Sequence, residues 1–135
     1  MYDLLPSMSL PLPPEPVVRG AVAAVWLYEG FWCKVLAREP NQLKVVEAVP
    51  KLGPVFGKAF LLGLGVVETL VGVWVLSGLT PRLCAMAQTV LLVTLNLNGL
   101  LWARRLIRDP AGMIVKNVAF LVLAWVNAWI FEHAV

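Results

Sequence analysis

Residues 59–81 read AFLLGLGVVETLVGVWVLSGLTP, an apolar run between Lys58 and Arg82 whose only charge is Glu68. A helix needs about 20 such residues to cross the roughly 30 Å hydrocarbon layer of a bilayer. A soluble domain of this size keeps too large a share of its surface in water to hide many runs like it. An ionisable group at mid-bilayer depth costs about 2.5–3.5 kcal/mol on insertion scales, so Glu68 is expected to face protein or trapped water rather than lipid. A second lone acid lies upstream, where Glu29 is the only charge between Arg19 and Lys34.

Working outward from that run, four stretches qualify as crossings: 16–36, 54–78, 81–103 and 110–131. Composition points the same way, with 60% hydrophobic and 14% charged residues in a chain of 135 and a mean hydropathy of +0.81. Each stretch opens on a proline, namely Pro16, Pro54, Pro81 and Pro110, and none contains another. Proline suits the first helical turn, where its missing N–H removes no helix bond. Thr80 and Asp109 are favoured capping types, with a side-chain oxygen for an orphan N–H. The fold class expected is therefore all-α: a four-transmembrane-helix bundle, one membrane domain over residues 16–133.

Two shorter segments complete the plan. Residues 41–49 (NQLKVVEAV) put Leu43, Val46 and Val49 on one helical face, with Lys44 and Glu47 turned away. They read as a short interfacial helix in the first loop, capped by Asn41, or as an ordinary surface helix. Residues 1–15 (MYDLLPSMSLPLPPE) are rich in proline and carry no Lys or Arg. A secretory signal would begin with a basic segment, so an extended tail is expected, with the first helix as an uncleaved anchor.

The basic residues set an orientation. Lys34, Arg38, Lys44, Lys51 and Lys58 flank the first loop, and Arg104, Arg105, Arg108 and Lys116 flank the third. Only Arg19 and Arg82 lie on the other side. The positive-inside rule then puts loops one and three in the cytoplasm of a bacterial or archaeal cell and both termini outside. Trp32 and Trp102 fall near the basic interface and Trp74 and Trp129 near the opposite one, as aromatic belts do. Trp26 and Trp125 fall deeper, in packing, lipid-facing or cavity-lining positions.

At about 1.5 Å of rise per residue, Glu29 lies roughly 10 Å and Glu68 roughly 15 Å from the basic side. Asn96 and Asn98 lie roughly 9–12 Å deep, and Asn117 is shallower still. Each helix thus offers a polar side chain at a similar level, with Lys34 and Lys116 above. Gly65, Glu68 and Gly72 share a stripe where small residues let a neighbouring helix come close. Cys84, Gln88 and Asn98 follow one face of the third helix; Asn96 lies about 200° from Asn98 and cannot share its target. One asparagine then faces the interior and the other a neighbouring helix or a second subunit.

These polar groups either bond one another and fix helix register, or wall a small cavity for a headgroup, a quinone ring or a proton. Without a cationic partner Glu68 would be held uncharged by desolvation and could donate to a ligand carbonyl, while Glu29 would pair with Lys34 just over one turn away. The ligand-binding candidates are Glu29, Lys34, Glu68, Gln88, Asn96, Asn98, Lys116 and Asn117. Neither a catalytic residue nor a metal site is expected. His133 is the lone histidine, which gives no support to haem or zinc held by a histidine pair. Cys33 and Cys84 fall at opposite faces, about 25–30 Å apart by the helical rise, far beyond disulfide reach. No phosphate loop, nucleophile elbow or dinucleotide fingerprint is present, and a net charge of +3 calls for headgroups rather than nucleic acid.

Four segments carry a resemblance: WLYEGFWCKVL (26–36), VVETLVGVWVLSG (66–78), AQTVLLVTLNLNG (87–99) and DPAGMIVKN (109–117). Together they resemble the DoxX-like membrane family over nearly the whole chain, through YEGxWxK, a mid-helix Glu, a Gln-to-Asn helix and DPxGxxxKN. The resemblance implies Glu29, Lys34, Glu68, Gln88, Asn96, Pro110, Lys116 and Asn117 as the characteristic residues. The wider superfamily includes subunits named for a thiosulfate:quinone oxidoreductase and relatives linked to redox-stress complexes or receptor assembly. Similar segments also follow soluble reductase domains, an arrangement that implies the opposite orientation.

The function expected is a redox-associated subunit that binds a quinone or similar lipophile, an accessory to an oxidoreductase rather than a complete enzyme. The alternative is a non-catalytic chaperone or scaffold for another membrane protein. Expected partners are the bilayer, a soluble oxidoreductase or a membrane-protein client, and a second copy of the chain. A soluble dehydrogenase that co-purifies would favour the first reading; a cofactor-free complex with a client would favour the second.

Overall fold

The computed structural model describes residues 14–36, 38–50 and 53–133. Most of the tail expected over residues 1–15 therefore lies outside the described residues, as does Lys51. Glu15 already belongs to helix α1 (Glu15–Leu27), with Pro16 in its first turn, and pairs one turn on with Arg19 at 3.4 Å.

The chain continues from α1 as a π-helix, Tyr28–Val35. Its wide turn is visible in the bond from Leu36 N–H to the Phe31 carbonyl, five residues back at 2.9 Å. Helix α2 follows over Pro40–Glu47. Its cap is Glu39, whose carboxylate accepts the Asn41 N–H at 3.2 Å, and not Asn41 as the sequence suggested. Pro40 starts the helix a residue earlier, so Asn41 sits inside the first turn and donates instead to the Leu106 carbonyl at 3.3 Å.

Helix α3 (Gly53–Ser77) and helix α4 (Pro81–Trp102) are joined by a tight turn. Gly78 (φ +70°) and Thr80 (φ +43°) both adopt left-handed backbone there. A capping side chain needs extended backbone to reach the next amides, so Thr80 does not cap α4 in the expected way. Its hydroxyl accepts from the Trp74 indole at 3.2 Å. A short 3₁₀ turn, Arg104–Leu106, leads to helix α5 (Pro110–His133). There Asp109 does cap, accepting the Gly112 N–H at 3.0 Å.

The fold is all-helical, with no strand among the described residues. Val55–Ser77, Pro81–Trp102 and Pro110–Glu132 are long and apolar enough to cross a membrane. Their outward faces are studded with exposed Leu70, Val90 and Val115, the surface expected where lipid tails replace water. α1 alone is 13 residues long and falls short of that length.

The order of packing decides where space is left. α1 and its π segment lie against α3 along their length, α5 covers another side of α1, and α4 packs on α5. α3 and α4 meet only weakly, and α2 lies against α3 and reaches α4. The apolar centre gathers Val22, Ala23, Trp26, Val71, Val75, Cys84 and Ala124, with Phe120 edge-on to Trp26 at 5.7 Å. The loose seam between α3 and α4 falls beside the polar level of the bundle.

Candidate functional site

Glycine brings the first two helices together. A methyl group on Gly30 would sit 2.7 Å from both the Gly65 carbonyl oxygen and the Thr69 nitrogen. One on Gly65 would sit 2.7 Å from the Lys34 Cβ. Glu68, on the same stripe of α3, is thereby 1% exposed and faces the π segment. Its Oε2 accepts from Lys34 Nζ at 2.9 Å.

Glu68 therefore has the cationic partner that the sequence left open. Lys34 also donates to the Glu29 carbonyl at 3.2 Å and lies 3.8 Å from the Glu29 carboxylate. In an α-helix residues five apart lie about 140° from each other around the axis. The π turn brings Glu29 and Lys34 to one face, so the lysine reaches both acids. A buried pair of this kind gains little over an apolar pair of equal volume, but removing one partner leaves a costly unmatched charge.

This ion pair forms part of the wall of a cavity of about 290 Å³. Glu29, Lys34 and Glu68 line one side; Asn96 and Asn117 line the other, with Trp26, Leu92, Met113 and Phe120 between them. The two asparagines are linked, Asn117 Nδ2 donating to Asn96 Oδ1 at 2.7 Å. Asn96 in turn donates to the Leu92 carbonyl at 2.7 Å. A larger cleft of about 530 Å³ opens beside it between α2, α3 and α4. Val45, Val46, Val49, Phe60, Leu61 and Leu64 make that cleft apolar, and Lys34, Leu95 and Met113 line both spaces.

Three of the sequence candidates stand apart. Gln88 is buried but turned to the other end of the bundle, accepting the Trp26 indole N–H at 2.8 Å. It borders a water-sized void of about 10 Å³ with Arg19, Cys84 and Asn127. Asn98 donates to its own helix at the Thr94 carbonyl, 2.8 Å away, and lines the apolar cleft rather than the polar cavity. Lys116 is exposed and lines neither space, because its neighbour Asn117 holds the inward face of α5.

Other contributors had a weak signal in the sequence or none. Gln42 of α2 donates to Glu29 Oε2 at 3.0 Å across the loop, tying that short helix to the cavity rim. Trp26, whose depth left several roles open, is 2% exposed and separates the cavity from Gln88. Met113 joins the two spaces from α5. Cys33 and Cys84 are both buried and free.

The profile of the DoxX-like family matches residues 23–125, a stretch that includes every residue lining the polar cavity and the apolar cleft. Neither a curated protein nor a solved structure matches the chain. The match runs from α1 into α5 and covers well over half of the sequence. The protein belongs to the DoxX-like family.

Proposed function

We propose that this is a membrane subunit that binds a quinone or a similar lipophile between its helices, in support of an oxidoreductase. The observation that carries the reading is the join at Lys34, where a polar cavity of about 290 Å³ adjoins an apolar cleft of about 530 Å³. Small-molecule sites are mostly apolar, with a few convergent polar groups, and occupy roughly 300–1,000 Å³. A ring with polar substituents suits the first space and an isoprenoid tail the second. Lys34 would hold a ring oxygen, and Asn96 and Asn117 would fix the ring's plane. Bound there, a quinone supplies two-electron chemistry, and this chain contributes binding and exclusion of water.

In this reading the chain crosses the membrane four times. α1 and the π segment together make the first crossing, and α2 lies in the interface. Loops one and three face the cytoplasm, supported by exposed Arg38, Lys44, Lys58, Arg104, Arg105 and Arg108 on that side. Labelling single cysteines at Lys44 in intact cells checks the orientation, since the two native thiols are buried. Impermeant reagent that reaches position 44 reverses it.

The binding reading is tested by equilibrium titration of a tailed quinone analogue into the purified chain in nanodiscs. Saturable binding that weakens at least about tenfold in Lys34→Met, the worth of one charged hydrogen bond, is the expected result. If no tailed analogue binds and the polar groups prove to satisfy one another in a dry core, the scaffold role takes its place.

A further inference from the structure

We infer that the polar cavity selects a headgroup that donates hydrogen bonds, so that a tailed hydroquinone binds in preference to its quinone, with the Glu29 carboxylate as the acceptor. This rests on the lipophile-binding reading and narrows it to one chemical state of the ligand.

The inference follows from how the wall groups are already engaged. Two carboxyl groups and one amine line the cavity, Glu29, Glu68 and Lys34. The donors are partly committed. Lys34 gives one N–H to the Glu68 carboxylate and one to the Glu29 carbonyl, which leaves a third beside the Glu29 carboxylate 3.8 Å away. Asn117 gives an N–H to Asn96, and Asn96 gives one to the Leu92 carbonyl. The Trp26 indole N–H leaves the cavity altogether for Gln88.

Acceptors are in surplus. An ionised carboxylate offers about four lone-pair sites, and among the described residues Glu29 receives only Gln42 at short distance. Its side chain is 41% exposed, against 2% for Glu68, so Glu29 is the acid an entering molecule meets. A quinone brings two carbonyl oxygens, which accept only. Against this wall they meet one remaining N–H on each of Lys34, Asn96 and Asn117, but offer nothing to the Glu29 carboxylate. A hydroquinone brings two O–H donors, one for Glu29 and one for the asparagine pair. A hydrogen bond from O–H to a carboxylate is short and about twice as strong as one between neutral groups.

The test uses the full chain in nanodiscs and three probes sharing one decyl tail: a benzoquinone, its hydroquinone, and the hydroquinone dimethyl ether, which keeps the shape but has no O–H. Affinities are measured anaerobically by equilibrium dialysis. The hydroquinone is expected to bind at least about tenfold more tightly than either other probe, the worth of one charge-assisted hydrogen bond. Glu29→Gln, which keeps the shape and the contact with Gln42, is expected to cut that preference severalfold, and Glu29→Leu to abolish it. Equal or tighter binding of the quinone overturns the inference while leaving lipophile binding intact. A preference that survives both Glu29 variants overturns the role of that acid. Failure of all three probes to bind removes the functional reading beneath it.

Discussion

Replacing Gly30 with alanine tests the helix contact on which the site is built. The new methyl would lie 2.7 Å from two backbone atoms of α3 and 2.8 Å from the Glu68 Cβ. Backbone cannot swing aside as a side-chain tip can, and ordinary contact begins at 3.4 Å. The π segment and α3 must therefore part by about 0.7 Å, the difference between 3.4 and 2.7 Å. Moving as rigid bodies, they would stretch the Lys34–Glu68 contact from 2.9 Å to about 3.6 Å, outside hydrogen-bond range. Overpacking of this kind costs about 1–3 kcal/mol, and the weakened charged hydrogen bond adds about 1.5–3 kcal/mol. A loss of about 2.5–6 kcal/mol is expected from the two together, read by unfolding the protein from mixed micelles with increasing SDS. Gly20 and Gly63 supply the internal control, since a methyl at either meets nothing within 4 Å. Alanine there should leave stability unchanged or raise it by up to about 1 kcal/mol through helix propensity. If Gly30→Ala unfolds with the Gly20→Ala control, the close approach of these helices is not what holds the site.

Lys34→Met should destabilise by about 3–5 kcal/mol, because it strands the Glu68 charge in the core. The double variant Lys34→Met/Glu68→Met should recover most of that loss, and additive costs in the same SDS titration would show the pair to be uncoupled. Glu68→Gln, harmless if the acid were unpaired, should now cost more than Glu29→Gln, because Lys34 loses its 2.9 Å partner; equal unfolding midpoints would contradict this. Gln88→Leu should cost about 1–3 kcal/mol by orphaning the Trp26 indole N–H, with a change in near-UV circular dichroism; an unaltered spectrum would argue against the bond. Asn117→Ala should lower stability by about 1 kcal/mol through the lost Asn96 contact. Asn98→Ala should stay within about 0.5 kcal/mol, and the reverse order would misassign the two asparagines.

Depth was legible in the sequence because the helical rise is fixed by the backbone. Counting from the basic ends was enough to bring Glu29, Glu68, Asn96 and Asn117 to one level, and these four share a cavity wall. Azimuth was less legible. Gln88 lies on the same face as Asn98 by helical period, yet it turns to Trp26 at the other end of the bundle. Neighbouring positions on α5 part company in the same way, Asn117 inward and Lys116 outward. Proline was a good guide to helix starts, since its constraint is local; Pro16, Pro54, Pro81 and Pro110 all fall in first turns. The caps beside them were harder, because Thr80 takes a left-handed backbone that its residue type disfavours. Nothing in YEGFWCKV announces a π turn, so the three-way contact of Lys34 with both acids was beyond reach. Gln42 was invisible for a related reason: its partner is reached only once the loop has folded back.

The wide turn at Tyr28–Val35 ties the length of the chain to the shape of the helix at this one place. An α-helix with one residue inserted relaxes by becoming locally π, so removing a residue here would restore an ordinary turn. Residues four apart share a face of an α-helix, so a lysine brought one position closer would stay on the side of Glu29 and within reach of Glu68. A chain shortened by one residue within 31–33 should therefore fold with its acids still matched. Related sequences that lack the extra residue need their lysine four positions after the glutamate instead of five. The spacing of those two letters is then a ruler for the shape of the helix between them.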